Sequence, residues 1–145
     1  MTCLLDVNVL VALVDPLHIH HGAAHEWFEG EGEAGWATCP ITQNGLLRIV
    51  GSSSYTNPLR TPAAVAETLA DLVTAPGHEF WADDLSLMSS PLVDVSQILG
   101  SKQVTDTYLL ALARSRDGRL ATFDRRLSTS AVRDGTRTRL IIPDA

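Results

Sequence analysis

Nothing in this 145-residue sequence approaches the length of a membrane-spanning segment. The longest apolar run covers residues 7–14, where Asn8 breaks it and Asp15-Pro16 end it. A helical span needs about 20 apolar residues. A secretory leader is also lacking. No basic stretch precedes an apolar one, and Asp6 and Asn8 fall where a leader is most apolar. Both absences point to a cytoplasmic protein. Cysteine is scarce: Cys3 and Cys39 stand alone, with no CxxC pair and no Cys/His grouping at zinc spacing. Both read as small apolar residues inside strands. Positive charge is in deficit, with 11 Lys and Arg against 17 Asp and Glu and a net charge of −6. That argues against a non-specific nucleic-acid binder, which is normally basic. It does not argue against a site that works through bound cations, because a carboxylate cluster lowers net charge and the ions restore positive potential locally. Repeats and low-complexity tracts are missing too.

What is present fits one soluble globular domain spanning residues 1–145, with 45% hydrophobic and 19% charged residues. Residues 2–6 read as a short buried strand, followed by a helix over 8–14 that stops at Pro16. A helix is expected over 23–29, a strand over 35–39, and a helix over 41–50 opened by Pro40. Residues 51–62 read as a loop on their serines, Asn57, Pro58 and Pro62. A helix begins at Thr61-Pro62 and ends before Pro76-Gly77, and a third strand follows over 79–82. The stretch 83–102 is ambiguous, with room for a short helix before Ser89-Ser90-Pro91 and another near 95–99. The best helix covers 104–114, with Val104, Tyr108, Leu109, Leu112 and Ala113 on one side. Strands over 119–123 and 140–142 complete the pattern. Strands alternating with helices predict an α/β fold, a parallel sheet sandwiched between helices on both faces.

Such sheets bind ligands beyond the carboxyl ends of their strands, and that rule ranks the acidic residues. Asp6 closes the first apolar strand and Asp124 closes Ala121-Thr122-Phe123. Asp106 falls in the first turn of the best helix. Alone, each has an ordinary explanation: helix-favouring charge for Asp106, a helix cap for Asp124. Together they describe three carboxylates converging on one crevice, where repulsion pushes one or more toward protonation unless a cation is bound. Mg²⁺ or Mn²⁺ relieves that repulsion through oxygen ligands and ordered water. It also supplies what phosphodiester hydrolysis needs. No Ser-His or Cys-His pairing suggests a covalent route.

These segments, in this order, resemble the PIN-domain family over nearly the whole chain. Leu4-Leu5-Asp6-Val7-Asn8-Val9-Leu10 is similar to its opening motif, Val104-Thr105-Asp106-Thr107-Tyr108-Leu109 to its later helix-start motif, and Leu120-Ala121-Thr122-Phe123-Asp124 to its last acidic motif. Cys39-Pro40-Ile41-Thr42-Gln43-Asn44-Gly45-Leu46-Leu47-Arg48 most resembles the VapC toxin branch. The resemblance implies Asp6, Asp106 and Asp124 as ligands of Mg²⁺ or Mn²⁺, with Asn8 orienting a ligand or a water. It implies a toxin endoribonuclease acting on cellular RNA, transfer or ribosomal RNA among the candidates. It further implies a homodimer silenced by a VapB-type antitoxin that inserts a basic or blocking segment into the acidic cleft. One position departs from the pattern: Gln43 stands where the family carries Glu. A neutral amide can position a water but adds no charge, which bears on the number and affinity of metals.

Arg48, Arg125 and Arg126 lie near the acidic positions and are candidates for RNA phosphates, or for solvated charge. Thr105 and Thr122 offer hydroxyls to a metal-associated water, and both suit structural hydrogen bonding as well. His18, His20, His21 and His25 cluster, but Gly22 after His21 breaks the HExxH pattern, so a partly exposed helix start is the expectation. His78 reads as a loop residue. Trp27, Trp36 and Trp81 read as core or dimer contacts. Two other functions compete. A haloacid-dehalogenase-like phosphatase also opens with Asp after an apolar strand, yet it needs a second Asp where Asn8 stands. A non-catalytic PIN-like module binding RNA or protein would account for Gln43, and metal-dependent cleavage separates it from the nuclease.

Overall fold

The computed structural model describes residues 1–56 and 61–144. Five parallel strands form one sheet: β1 (Cys3–Leu5), β2 (Trp36–Thr38), β3 (His78–Phe80), β4 (Arg119–Thr122) and β5 (Arg139–Ile141), in the spatial order β3-β2-β1-β4-β5. Helices α1 (Val7–Val14), α2 (His21–Gly30), α3 (Pro40–Val50), α4 (Pro62–Leu72), α5 (Gln103–Ser115) and the four-residue α6 (Gly135–Thr138) connect them. The α/β sandwich is the architecture expected from the sequence. Asn57 and Pro58, on which part of the 51–62 loop reading rests, lie outside the described residues.

The central strands β2, β1 and β4 are largely buried on both faces, and strand alternation divides the core. Leu5 packs with Val9, Leu10, Trp27, Phe28, Leu46 and Val50 on the side of α1 to α4. Leu4 and Leu120 pack with Leu109, Leu110 and Leu112 of α5 and with Trp81 on the other side. All three tryptophans are core residues, no more than 8% exposed. Cys3 and Cys39 are free thiols, Cys39 fully buried.

Local chemistry sets the helix starts. Asp6 caps α1 and accepts a hydrogen bond from the Val7 amide at 2.8 Å. Pro40 opens α3 at its first position, and the Thr42 hydroxyl accepts from the Cys39 amide at 3.0 Å. Gly45 has a packing purpose. A Cβ there would sit 2.7 Å from Val7 Cγ2, so only glycine lets α3 lie this close to the start of α1. The C-terminus of α1 is capped from α2. His21 Nδ1 donates to the Ala12 carbonyl at 2.7 Å and His25 Nε2 to the Leu13 carbonyl at 2.9 Å. The i, i+4 histidine pair therefore satisfies two carbonyls of α1's last turn. Residues 83–102 hold no α-helix: the backbone pairs with a neighbouring loop instead, Asp94 donating to the Ala131 carbonyl and Arg133 to that of Leu92, both at 2.8 Å.

Candidate active site

Because the sheet is parallel, the carboxyl ends of β1, β2 and β4 lie along one edge. Leu5 pairs with Ala121, and the Asp6 amide extends that ladder to the Ala121 carbonyl at 2.9 Å. Asp6 and Asp124 thus leave the sheet from adjacent strands. α5 begins at the same edge, and Asp106 lies in its first turn. All three carboxylates line one open cleft of about 580 Å³, together with Asn8, His18, Tyr55 and an apolar rim that includes Leu17, Ile19 and Ile49.

Thr122 ties the edge together. Its hydroxyl donates to Asp6 Oδ2 at 2.8 Å and accepts from Asn8 Nδ2 at 3.1 Å and from the Asp124 amide at 3.0 Å. One donor and two lone pairs are then all engaged, so Thr122 aligns Asp6 and Asp124 and has nothing left for a water. Asn8 is committed as well: Nδ2 also reaches Asp6 Oδ2 at 3.4 Å, and Oδ1 accepts from the Phe123 amide at 3.1 Å. Asn8 therefore orients Asp6. Asp124 Oδ1 accepts from the Arg126 amide at 2.9 Å, which shapes the turn beyond β4.

Electrostatics mark the cleft as strained without a counter-ion. Burial raises the pKa of Asp6, and nearby Asp124 raises it further, against the lowering effect of the Thr122 and Val7 hydrogen bonds. Asp106 is pushed up to about 6, by burial first and then by the charges of Asp6 and Asp124. Among the described residues no hydrogen bond reaches its carboxylate. The three are close enough to feel one another, yet among the described residues no three His, Cys, Asp or Glu side chains are set to hold one ion directly. An all-oxygen donor set of this kind suits a hard cation that keeps part of its water shell, as Mg²⁺ does when held by one or two carboxylates.

The remaining sequence candidates fall elsewhere. Gln43, on α3, donates from Nε2 to Thr38 Oγ1 at 3.0 Å, and Thr38 shares a 2.8 Å hydrogen bond with His78 Nε2; it is not among the cleft-lining side chains. Arg48 lies with Asn44, Leu47 and Pro62 at a separate shallow hollow. Arg125 pairs with Asp144 at 3.0 Å, and the Arg126 side chain is exposed. His18, set aside with the other histidines on sequence grounds, lines the cleft; only the α1–α2 turn brings it there.

The PIN domain model matches residues 3–132, and the chain belongs to the PIN-domain family. Within it the chain is similar to three proteins of Mycobacterium tuberculosis strain H37Rv. Ribonuclease VapC44 is 44% identical over 97% of this chain and 98% of its own length. Ribonuclease VapC39 is 45% identical over 90% and 94%, and ribonuclease VapC38 is 46% identical over 88% and 89%.

Proposed function

We propose that this protein is a toxin endoribonuclease that cleaves cellular RNA by Mg²⁺- or Mn²⁺-assisted phosphodiester hydrolysis. The observation that carries this reading is the meeting of Asp6, Asp106 and Asp124, from two strand ends and a helix start, in one cleft. Likeness to ribonucleases over almost the full length supports it. Asp6, Asp106 and Asp124 hold the ion, directly or through water. When bound, it acidifies a water and offsets charge on the phosphate. Thr122 and Asn8 fix the Asp6 carboxylate, so the ligand is oriented before substrate arrives. Gln43 lends its amide to the Thr38 side of the sheet edge and adds no charge. The acidic cleft and its rim of Leu17, Ile19 and Ile49 suit a VapB-type antitoxin segment carrying both basic and apolar residues. A homodimer in the cytoplasm completes the proposal.

The test is incubation of the purified protein with total cellular RNA in Mg²⁺, in Mn²⁺ and in EDTA, beside an Asp6→Ala variant. Discrete fragments that require metal and vanish in the variant are expected. RNA or protein binding without cleavage in either metal would make the chain a binding module, with Gln43→Glu the first reversion to try.

A further inference from the structure

The cleft is rich in acceptors and poor in donors. No lysine or arginine is among its lining residues. The Asn8 amide hydrogens are directed at Thr122 and Asp6, and the Tyr55 hydroxyl donates to Asp15 Oδ2 at 2.6 Å. Among the described residues that leaves one uncommitted side-chain N–H, on His18, beside the exposed hydroxyl of Thr56 at the rim. Its tautomer follows from its bonds. The His20 backbone amide donates to His18 Nδ1 at 3.0 Å. A backbone N–H can only donate, so Nδ1 must be bare, and in the neutral ring the proton sits on Nε2. No hydrogen bond from Nε2 is formed among the described residues. The turn that carries the ring is pinned. The His18 amide donates to the Asp15 carbonyl and the His21 amide to that of His18, each at 3.0 Å, while Asp15 Oδ1 accepts from the Leu17 amide at 2.9 Å. His20 in turn stacks on Phe123, ring centres 4.8 Å apart, next to Asp124.

Resting on the hydrolytic reading above, we infer that His18 is a substrate-contacting residue, a fixed neutral imidazole whose Nε2–H donates to a phosphate oxygen of the bound RNA. Protonating the ring would set an Nδ1–H against the His20 N–H, so the geometry itself favours the neutral donor; burial first, then His20 and His21, lower the pKa in the same direction, against the raising effect of Asp15. A neutral donor suits this cleft. It supplies a directional hydrogen bond to an anion beside the carboxylates without competing with a cation for them. The remaining anion-facing charge then belongs to the metal, and His18 sets where the phosphate rests.

Two variants separate the donor from the turn. His18→Asn keeps an acceptor at the Nδ1 position for the His20 amide and lacks the distal donor. His18→Gln places an amide N–H near the position of Nε2. With both folded like wild type by thermal melting, RNA affinity is read by anisotropy on fluorescein-labelled bulk tRNA and a mixed-sequence single strand in Ca²⁺. Steady-state cleavage is read in Mg²⁺. The His18→Asn variant is expected to weaken Kd and KM about ten-fold, the order of one hydrogen bond to a charged group, with kcat within about three-fold; His18→Gln is expected to recover most of the loss. Ring ¹⁵N NMR of the free protein is expected to show the Nε2–H tautomer of His18. Unchanged affinity in His18→Asn, or His18→Gln as weak as His18→Asn, overturns the assignment. Cleavage that ignores His18 refutes this inference and leaves the hydrolytic reading standing. His18-dependent binding without cleavage does the reverse, and neither binding nor cleavage overturns both.

Discussion

Removing the Asp106 carboxylate should stabilise the metal-free protein. Its pKa stands at about 6 against an ordinary 3.8, and a shift of that size corresponds to about 3 kcal/mol. Asp106 is only partly buried, so solvent screening reduces this to about 1.5–2 kcal/mol. The helix N-terminus favours the charge by about 0.5 kcal/mol, leaving a net cost of about 1 kcal/mol. A carboxyl whose folded pKa is raised contributes stability below its unfolded pKa and loses it as pH rises through the folded value. The penalty therefore grows between about pH 4 and pH 6 and is complete at pH 8. Since among the described residues no hydrogen bond is lost with the carboxylate, Asp106→Asn should melt about 2–5 °C above wild type in EDTA at pH 8. The gap should shrink as pH falls toward 4. Added Mg²⁺ should reverse the order: at ten times Kd wild type gains about 1.4 kcal/mol, and the variant gains less. Scanning calorimetry across pH, with and without Mg²⁺, makes the comparison. A variant no more stable than wild type at pH 8 without metal would refute the claim that repulsion and desolvation dominate this cleft.

Thr122→Val strips partners from Asp6, Asn8 and the Asp124 amide at once, so urea denaturation should show a loss of about 2–3 kcal/mol. Metal-dependent cleavage should fall at least ten-fold, and Thr122→Ser should restore both; wild-type stability in the valine variant would show the hub to be idle. His21→Ala and His25→Ala should each cost about 1 kcal/mol by freeing a carbonyl of α1, with no response to Zn²⁺; a zinc-induced rise in the wild-type melting temperature would revive the pair as a metal site. Gly45→Ala places a methyl 2.7 Å from Val7 Cγ2. Overpacking of about 1–3 kcal/mol should outweigh the helix propensity gain of about 1 kcal/mol. Val7→Ala in the same chain should recover the loss, and failure to do so would place the strain elsewhere.

The elements legible in the sequence are those with a local start or a periodic apolar face of their own. α1 and α3 have local starts, α5 has a long periodic apolar face, and β1 and the centre of β4, Leu120 and Ala121, are apolar, with Asp6 and Asp124 beyond them. The strand-end rule needed only this much to bring Asp6, Asp106 and Asp124 together, which is why the carboxylates were readable before the fold. Residues 83–102 leave room in the sequence for two short helices; among them only a 3₁₀ turn forms, at Val95–Gln97. The Val93–Val132 bridge competes for that backbone, and no local pattern announces a partner some 40 positions away. The four-residue α6 lacks the length for a periodic signal. Within the site, what escaped is side-chain bookkeeping across long separations. For Thr122 the sequence leaves a water-holding and a structural hydroxyl open; the structure takes the second, spending it on Asp6, 116 positions distant. The His18 tautomer depends on a turn whose conformation no spacing rule supplies.

The distribution of charge bears on how the proposed active site would meet RNA. A chain with six more acidic than basic residues cannot gather a polyanion through a diffuse basic surface, and two of its candidate phosphate ligands stand apart: Arg48 at another hollow, Arg125 already paired with Asp144. Under the proposed function, attraction would come from a cation held at Asp6, Asp106 and Asp124, aided by the exposed Arg126, and discrimination from a few directional donors such as His18. The same carboxylates that would repel RNA without metal would offer the proposed basic antitoxin segment a complementary surface. Substrate and inhibitor would thus be drawn to one site by opposite means, RNA through the bound ion and the antitoxin through the carboxylates themselves, so that metal occupancy weighs one against the other.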